Sequence, residues 1–594
     1  MKKILLRMAA GLLVLLLAVS AAACGGDDGA PPEQSSAPAA ETTGGAAPEE
    51  DRLIEFAVDN VCNYTIARPD DATENIVDAA IRLQTDIERL LGYKLKLTDD
   101  FEYSADAYEI VFGLSAYPET MQALQAWQVG EYGVAVIGNK IVVAGHTDST
   151  TEKAATVFYN LLKDSVSVDG DKVSISFRLS DIENKSMPYW FGDIPAFTAG
   201  SYHGAFDLET DNVQMYYTDV AESDVDDYVR QLADAGFAEY QTNRIGENRF
   251  ATFTSEEGMV HLTYLAYNRS LSIITDPLDA TVLFTPEEYD GSTKVTENTL
   301  GIISLDYSHR DVTDGNGMSY VITLEDGRYV IFDGGYAQDA ERLWQYLNDN
   351  NQRADGEIVI AAWILTHSHG DHYGCIKEFV PRHGKDVTVE YVMANAASST
   401  MVAEGQYDAF LTSSLPSLMR QMGGSPKLIK PHTGQSFTFC NVTFEVMYTH
   451  ENFYPNMIPY LNDSSTVMRM TANGKTVLFT GDCEATASNV LVNMYGTALH
   501  CDILQVNHHG YSGGTKALFD AVSPSVAMWT TSQAAFDIRN SDKWIRTPNK
   551  YLVDMVGLDH VFVADGPCKL LPMSYDSLDD VTEYHFSTEQ RMTQ

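Results

Sequence analysis

Cysteine is scarce in this chain of 594 residues, which contains seven. One of them, Cys24, lies in the N-terminal segment. The other six are scattered without a CxxC pair: Cys62, Cys375, Cys440, Cys483, Cys501 and Cys568. Domains that depend on disulfides have a dense cysteine framework. We therefore exclude a disulfide scaffold, while one or two bridges of unassigned pairing stay open.

Basic residues are also few. The chain has 39 lysines and arginines against 83 acidic residues, a formal net charge of −44 at pH 7. Such a surface repels phosphate backbones over about a Debye length, roughly 10 Å, which disfavours long nucleic acids as partners. Repeated long apolar runs are lacking too, and this excludes a multi-span membrane channel. The length predicts about three domains.

The first 23 residues have the features of an export signal, with a basic start, a short apolar run and small residues before Cys24. The sequence AAACGG around Cys24 resembles the lipobox of bacterial lipoproteins. This implies a signal peptide over 1–23, a lipid on Cys24, and a protein anchored at the outer face of the cytoplasmic membrane. A plain secretory signal is the alternative. Residues 24–51 hold small, acidic and proline residues and are predicted to form a flexible linker.

Two small domains are predicted before residue 298. Residues 52–182 alternate strands and helices, with a hairpin turn at Gly138-Asn139, and resemble the small non-catalytic α/β domain of several glycoside hydrolases. Residues 183–297 predict an α+β unit with a helix over 224–235 and strands over 250–255 and 261–274. This second unit shows no polar constellation, so a spacer or docking role is expected.

A dense group of metal-binding residues follows the predicted strand 358–365, in the sequence Thr366-His-Ser-His-Gly-Asp-His372. Imidazoles and carboxylates crowded in this way repel or desolvate one another unless a cation binds them. Both are ligands that zinc and similar divalent ions prefer. In an extended loop His367 and His369 point the same way and reach one ion, while Asp371 and His372 on the next turn reach a second.

The hexapeptide His367–His372, with the pattern HxHxDH, resembles the signature of the metallo-β-lactamase superfamily, and three further segments agree with that family in order. They are Tyr329–Asp333 followed by two glycines, Thr476–Asp482, and Ile503–Gly510 with its HHG sequence. The resemblance implies a fold of two β-sheets packed face to face with helices outside. The expected architecture is thus multidomain α/β, with a C-terminal αββα sandwich over 298–594 preceded by the two small α/β and α+β domains.

The resemblance also implies two divalent ions, zinc being favoured over manganese or iron. His367 and His369 would bind the first ion, Asp371, His372 and His508 the second, and Asp482 both. Asp333 would orient the ligand imidazoles, although a role in capping the turn at Gly334 is an equal alternative. His509 would donate to an oxyanion or leaving group, or else orient its loop, and Ser512 would line the same opening.

The third histidine that the family uses at its first metal is missing. His432 and His450 lie in the relevant interval but lack the sequence context, and we interpret both as ordinary loop histidines. The segment Leu461–Thr466 stands at the expected place and is similar to the NDNS-type variant of the hydrolase domain attached to bacterial competence channels. Asn462 or Asp463 would then supply an oxygen ligand, or the first metal would bind weakly.

The function implied by the resemblance is metal-dependent hydrolysis by a metal-bound hydroxide, with Asp371, Asp482 and His509 as catalytic residues. Phosphodiesters or related esters, in a small molecule or a cell-wall polymer, are the expected substrates. A β-lactam hydrolase is a weaker alternative because the third histidine is missing. A non-catalytic metal-binding recognition lipoprotein is the alternative from another class. Protein partners are not indicated by the sequence.

Overall fold

The computed structural model describes residues 51–70, 72–127, 130–186, 194–208, 212–278, 281–308, 315–403 and 405–587. The predicted signal peptide, Cys24 and nearly all of the linker lie outside these ranges. Among the described residues no helix is both long and apolar enough to cross a membrane. All six cysteines in the described ranges are free thiols.

Residues 53 to 186 form two sheets flanked by helices. The larger sheet has the strand order Leu97–Asp99, Thr65–Arg68, Glu109–Phe112, Lys140–Gly145, Glu131–Ile137 and Lys185–Ser186. The smaller sheet is Leu53–Ala57, Lys172–Arg178 and Val166–Asp169. The helices are Glu74–Leu91, Pro118–Ala126 and Asp148–Asp164. The predicted hairpin at Gly138-Asn139 is confirmed, because Ile137 pairs with Lys140 in an antiparallel ladder.

A second sheet system, of six antiparallel strands, follows. Its order is Ser201–Asp207, Val213–Thr218, Ser270–Pro277, Gly258–Leu265, Asn248–Thr254 and Ala238–Ile245, with the helix Glu222–Asp234. The predicted single strand over 261–274 is wrong, since a turn divides it. At this turn Arg269 adopts a left-handed backbone with φ of 53°, and the side chain of Asn268 accepts a hydrogen bond from the backbone N–H of Ser270.

From residue 299 onward two larger sheets face each other. The first has the order Lys427–Ile429, Val387–Met393, Ile358–Ile364, Tyr329–Asp333, Ser319–Thr323, Thr299–Ile302, Cys568–Pro572 and Thr582–Tyr584. The second has the order Ser436–Phe439, Val442–Tyr448, Val467–Ala472, Lys475–Phe479, Ile503–Gln505, Val526–Trp529 and Val561–Val563. Phe332 and Phe479 stack between the sheets with ring centroids 4.2 Å apart. The predicted two-sheet sandwich is confirmed.

Helices accompany both sheets. The α-helices are Ala340–Asp349, Gly370–His383, Leu415–Met419, Ala485–Tyr495, Lys516–Val522, Gln533–Arg539 and Asn549–Val556, and Phe410–Ser414 forms a π-helical turn. Short 3₁₀ turns occur at Leu179–Asp181, Ala337–Asp339, His450–Phe453, Leu461–Ser464, Gly496–Leu499, Asn507–Gly510, Leu558–His560 and Leu578–Asp580. By its contacts the chain from residue 53 onward forms one compact unit.

The six-stranded antiparallel sheet packs directly onto the two-sheet sandwich. Phe250, Leu265 and Ile274 belong to the same buried cluster as Met447 and Leu491 of the sandwich. This contact means that the middle part of the chain shares a core with the part that carries the metal-binding motif. A spacer that merely separates two folded domains does not need such a shared core.

Two pairs of parallel strands position the residues of the candidate site. Tyr329–Asp333 runs parallel to Ile358–Ile364 in one sheet, and Lys475–Phe479 runs parallel to Ile503–Gln505 in the other. Parallel strands end at the same edge of a sheet, so the loops that follow them meet. The polar residues after these strands therefore collect at one edge of the sandwich.

Candidate metal centre

The HxHxDH segment passes from an extended loop into a helix. His369 has an extended backbone (φ −120°, ψ 146°) and is the residue before the helix Gly370–His383. Nε2 of His367 lies 3.0 Å from Nδ1 of His369. Asp371 and His372 lie in the first helical turn, where a carboxylate is favoured by the helix dipole. This change of backbone aims the first two imidazoles at one point and the next two side chains at another.

Asp482 stands at the centre of the cluster and is buried. Its Oδ2 lies near four imidazole Nε2 atoms, at 3.1 Å from His372, 3.3 Å from His509, 3.7 Å from His508 and 4.0 Å from His367. The backbone N–H of Asp482 donates to Oγ of Ser465 at 3.0 Å, which fixes the turn after the strand. One carboxylate is thus shared by imidazoles from two separate segments, residues 367–372 and the turn Asn507–Gly510.

Two groups in the described chain have ligand atoms that all lie within 4.8 Å of one another. One consists of Asp371, His372, Asp482 and His509, and the other of His367, His369 and Asp482. Asp482 belongs to both groups. This is the arrangement expected for two neighbouring ions that share one carboxylate.

The structure differs from the sequence-based assignment at the two adjacent histidines. We expected His508 beside Asp371 and His372, with His509 outside the ligand set. Instead, Nε2 of His509 lies 3.4 Å from Oδ2 of Asp371 and belongs to that group. Both histidines have left-handed backbones, with φ of 43° and 55°. This tight turn, rather than a continued strand, decides which imidazole enters the cluster.

His508 occupies a separate position at the edge of the cluster. Its Nδ1 lies 2.8 Å from Oε1 of Glu484 and 2.7 Å from Oγ of Ser512, while its Nε2 faces Asp482. An imidazole held through Nδ1 by a carboxylate presents the lone pair of Nε2. Ser512 therefore contacts a histidine of the site, and Glu484 orients the same ring.

Asp333 lies behind the cluster and is fully buried. Its Oδ1 accepts a hydrogen bond from the backbone N–H of Thr366 at 2.8 Å, and its Oδ2 lies 2.7 Å from Nδ1 of His372. The residue adopts φ of 57°, a backbone conformation that costs free energy for a residue with a side chain. These contacts tie the start of the HxHxDH loop to the adjacent strand and orient the His372 ring.

The charges of the cluster shift its pKa values strongly. Burial raises the pKa of Asp482, but His372, His509 and His508 outweigh burial and hold it well below its usual range. Burial lowers the pKa of His367, and the neighbouring His372 and His369 lower it further. The lowered pKa of His367 favours the neutral imidazole, which is the form that binds metal ions.

The two predicted oxygen ligands contact other groups. The side-chain amide of Asn462 donates to Oε1 of Glu484 at 3.0 Å. Oδ1 of Asp463 accepts the backbone N–H groups of Glu484 and Ala487, at 3.0 and 3.1 Å, and so caps the helix Ala485–Tyr495. Asp463 belongs to neither ligand group, whereas Oδ1 of Asn462 and Oδ2 of Asp463 are buried and make no hydrogen bond among the described residues. Their role as oxygen ligands stays a prediction.

His432 and His450 also lie outside these groups, but they are not ordinary loop residues because both are fully buried. Nδ1 of His432 lies 2.8 Å from Oε1 of Glu451, and its Nε2 contacts Asp276 of the middle sheet. Nε2 of His450 lies 3.0 Å from Oδ1 of Asn395. No polar constellation was predicted in the middle unit, but the structure shows that this unit contributes Asp276 to a buried charged network.

The cluster fits divalent metal ions by its chemistry. Within the described ranges, Nε2 of His372, Nε2 of His509 and Oδ1 of Asp482 are buried and make no hydrogen bond. Polar atoms left in this way cost free energy unless another partner binds them. Imidazole nitrogen and carboxylate oxygen are the donor set of zinc, manganese and iron.

Three supporting residues were missed from the sequence because they are single polar residues far from the motif. Glu484 holds His508. Oγ1 of Thr530 lies 3.0 Å from Nδ1 of His509. The buried guanidinium of Arg539 donates to the backbone carbonyl of His509 at 2.9 Å. Only the position of Glu484, two residues after Asp482, offered a local signal.

Comparison with known proteins agrees with this geometry. Residues 312–410 match the family model described as Metallo-beta-lactamase superfamily. A stretch of 74 residues is 35% identical to competence protein ComA of Neisseria gonorrhoeae, and it covers 12% of this chain and 11% of that relative. The chain thus matches only a small part of that protein.

Two of the solved structures that match this chain have low overall similarity to it. The metallo-beta-lactamase fold protein YhfI from Bacillus subtilis is 15% identical, with 45% of this chain and 97% of that chain covered and a TM-score of 0.26. CmlA, a diiron beta-hydroxylase from Streptomyces venezuelae, is 12% identical, with 49% and 53% covered and a TM-score of 0.26. A fold of this family together with the ligand cluster supports a metal-dependent hydrolase or a related metal-dependent activity. The HxHxDH segment thus lies in a region, residues 312–410, that matches the metallo-β-lactamase superfamily, and the two-sheet sandwich carries it.

Proposed function

We propose that this protein is an exported, lipid-anchored hydrolase of phosphodiester or related ester bonds that uses two divalent ions, with zinc favoured. The observation that carries the proposal is the convergence of imidazoles and carboxylates on Oδ2 of Asp482, with buried ligand atoms that lack hydrogen bonds. The anchor at Cys24 and the location outside the cytoplasmic membrane rest on the sequence alone.

When bound, two divalent ions polarise an ester and lower the pKa of a water molecule. The chain's own residues orient the side chains that would bind these ions. Asp333 and Glu484 hold the Nδ1 sides of His372 and His508, so that each Nε2 faces Asp482. We assign His372 and His509, with Asp371, to one ion, and His367 and His369 to the other. We assign His508 the place of the missing third histidine.

The open side of the cluster is where a substrate enters. Asp371 is 19% exposed and His508 is 16% exposed at the side chain, whereas His367, His372 and His509 have no exposed side-chain surface. The substrate therefore approaches along Asp371 and His508. The net charge of −44 disfavours long nucleic acids, so we propose a small molecule or a cell-wall polymer as substrate.

The test combines metal analysis with turnover in the full-length protein. We expect about two ions per chain by mass spectrometry and hydrolysis of bis-p-nitrophenyl phosphate. His369→Ala is expected to reduce turnover by more than about a hundredfold. His560→Ala serves as the matched control because it removes an exposed imidazole of the same domain.

Three outcomes contradict the proposal in different ways. Bound metal without turnover of any ester in a panel indicates a non-catalytic recognition lipoprotein. Rapid cleavage of nitrocefin with slow cleavage of phosphate esters indicates a β-lactam hydrolase. A chain that binds no divalent ion while folded removes the basis for both assignments.

A further inference from the structure

A patch of two aromatic rings and one arginine lies beside the metal cluster. It consists of Tyr511, Trp544 and Arg546. The guanidinium of Arg546 lies 4.5 Å from the ring centroid of Tyr511 and 5.3 Å from that of Trp544. The two rings are 5.7 Å apart. Both distances lie within the range of a cation–π contact, so the two rings hold the guanidinium in place.

The patch is fixed to the turn that carries the site histidines. Tyr511 follows the HHG sequence, and its ring centroid lies 5.5 Å from that of His508. The segment that carries Arg546 is tied to the same turn, because the side-chain amide of Asn549 donates to the carbonyl of Gly510 at 2.7 Å. Thr547 donates to the same carbonyl at 3.4 Å. Arg546 thus keeps a defined position beside the open side of the cluster.

Arg546 also stands out by its lack of an acidic partner. Acidic residues outnumber basic ones by more than two to one, and several exposed arginines contact a carboxylate, as Arg382 contacts Glu341 and Glu378. Arg546 is exposed, and within the described ranges it forms no ion pair and no hydrogen bond. Beside it, the Nε1–H of Trp544 is buried and has no acceptor among the described residues.

We propose that Arg546, held by Tyr511 and Trp544, binds a negatively charged group of the substrate that lies outside the metal cluster. This inference rests on the proposed hydrolase function and narrows its substrate class to esters that carry a second anionic group. The planar guanidinium pairs with two oxygens of a carboxylate or phosphate at once. The aromatic rings contact the apolar part of the same substituent.

The test compares two substrates that differ by one charge. They are phenyl p-nitrophenyl phosphate and 4-carboxyphenyl p-nitrophenyl phosphate. We expect the carboxylated ester to have the higher kcat/KM, and Arg546→Gln to reduce that value by about tenfold while changing the value for the phenyl ester little. For the carboxylated ester, the kcat/KM of Arg546→Lys is expected to lie between those of the unaltered protein and Arg546→Gln. Lysine keeps the positive charge but cannot donate two parallel hydrogen bonds as the guanidinium does.

Lys543→Gln is the matched control, since it removes one exposed positive charge from the same segment. The inference would be overturned if Lys543→Gln and Arg546→Gln reduced the kcat/KM for the carboxylated ester equally. It would also be overturned if Arg546→Gln reduced kcat/KM equally for both esters. Unchanged thermal unfolding of both variants shows that folding is preserved.

A binding measurement separates this inference from the proposed function. Calorimetry of the full, zinc-loaded chain uses phenyl phosphate and 4-carboxyphenyl phosphate as ligands. If neither ester is hydrolysed but Arg546→Gln weakens binding of the carboxylated ligand by about tenfold, the hydrolase proposal fails and the subsite stands. If the esters are hydrolysed and Arg546→Gln affects the phenyl and carboxyphenyl compounds equally, in both binding and kcat/KM, only the subsite proposal fails.

Discussion

Nδ1 of His372 lies 2.7 Å from Oδ2 of Asp333, and neither side chain is exposed to solvent. The hydrogen bond places the Nδ1 proton of His372 towards Asp333 and leaves Nε2 directed at Asp482, 3.1 Å away. A carboxylate behind a ligand histidine fixes the ring orientation and increases its basicity. The geometry of the cluster therefore depends on a residue that belongs to neither of the two ligand groups.

Removing the charge of Asp333 tests this dependence. Asp333→Asn keeps the size of the side chain but weakens its contact with His372. We expect the affinity for one of the two ions to fall about 10- to 100-fold, as measured by metal-ion titration of the apo protein. Asp339→Asn is the control, because Asp339 is also buried but accepts the backbone N–H groups of Asp306 and Tyr336. Equal losses of metal affinity in both variants would show that Asp333 acts only through general stability.

The exchange of roles between the two adjacent histidines gives a sharper prediction. If His509 shares an ion with Asp371, the double variant Asp371→Asn/His509→Ala removes ligands from one ion only. The double variant Asp371→Asn/His508→Ala removes ligands from both. We expect the first double variant to retain about one ion per chain and the second to retain fewer, by mass spectrometry after dialysis. The reverse order would restore the sequence-based assignment of His508.

Two features favour glycine at position 510 in the HHG turn, namely its backbone conformation and the close approach of a neighbouring side chain. It adopts φ of 72°, and a Cβ at this position would lie 2.2 Å from Nε1 of Trp529. Gly474 has a similar φ of 77° but open space around the Cβ position. Gly474→Ala therefore measures backbone strain alone, about 1 kcal/mol. We expect Gly510→Ala to lower the thermal unfolding midpoint more than Gly474→Ala and to reduce metal affinity. Equal shifts would show that the contact with Trp529 is unimportant.

The buried network around His432 links the middle sheet to the sandwich and controls stability with pH. Burial lowers the pKa of His432, but Glu451 and Asp276 outweigh burial and raise it to about 10. Burial raises the pKa of Asp276, but His432 and Lys430 lower it to about 2. For Glu451, His432 likewise outweighs burial and lowers the pKa to about 2.

The signs of these shifts define a window of pH. A raised histidine pKa stabilises the folded state fully below about pH 6.5 and loses that contribution as pH rises towards 10. Lowered carboxylate pKa values stabilise it above about pH 4.5 and lose that contribution as pH falls towards 2. The network therefore contributes most between about pH 4.5 and 6.5.

We expect the loss of thermal stability in His432→Gln to be largest near pH 5.5 and smaller at pH 9. Breaking a buried pair by removing one partner costs about 3 kcal/mol or more in the free energy of unfolding. Differential scanning calorimetry at both pH values measures the effect. His560→Gln, at an exposed histidine, serves as the comparison and should show no such window. If His432→Gln lowered thermal stability equally at both pH values, His432 would stabilise the fold by packing rather than by charge.

Local patterns in the sequence predicted much of the sandwich and of its site. His367, His369, Asp371 and His372 lie within six residues after an apolar strand, so their convergence follows from the chain direction. The positions of Asp333 and Asp482 were predictable for the same reason, because Asp333 ends one buried strand and Asp482 lies three residues after the end of another. These residues need only local backbone geometry to reach the edge of the sheets.

The remaining features depend on contacts between distant segments. The choice between His508 and His509 follows from left-handed backbone angles at both residues. Histidine adopts such angles more often than most residues, but they stay uncommon and no local pattern fixed them at these two positions. Ser465 reaches His367 across 98 residues, and Asp276 reaches His432 across 156. Single polar residues of this kind have no local pattern. The packing of the middle sheet onto the sandwich could not be predicted either, because Phe250 and Ile274 have the sequence pattern of ordinary strand residues.

The most direct test of the central claim is anomalous X-ray scattering from crystals of the protein grown with zinc. Data collected on both sides of the zinc absorption edge locate bound ions without reference to activity. We predict two anomalous peaks on either side of the Asp482 carboxylate, one beside Asp371, His372 and His509 and the other beside His367 and His369. Well-ordered crystals with no anomalous peak within coordination distance of Asp482 would contradict the account.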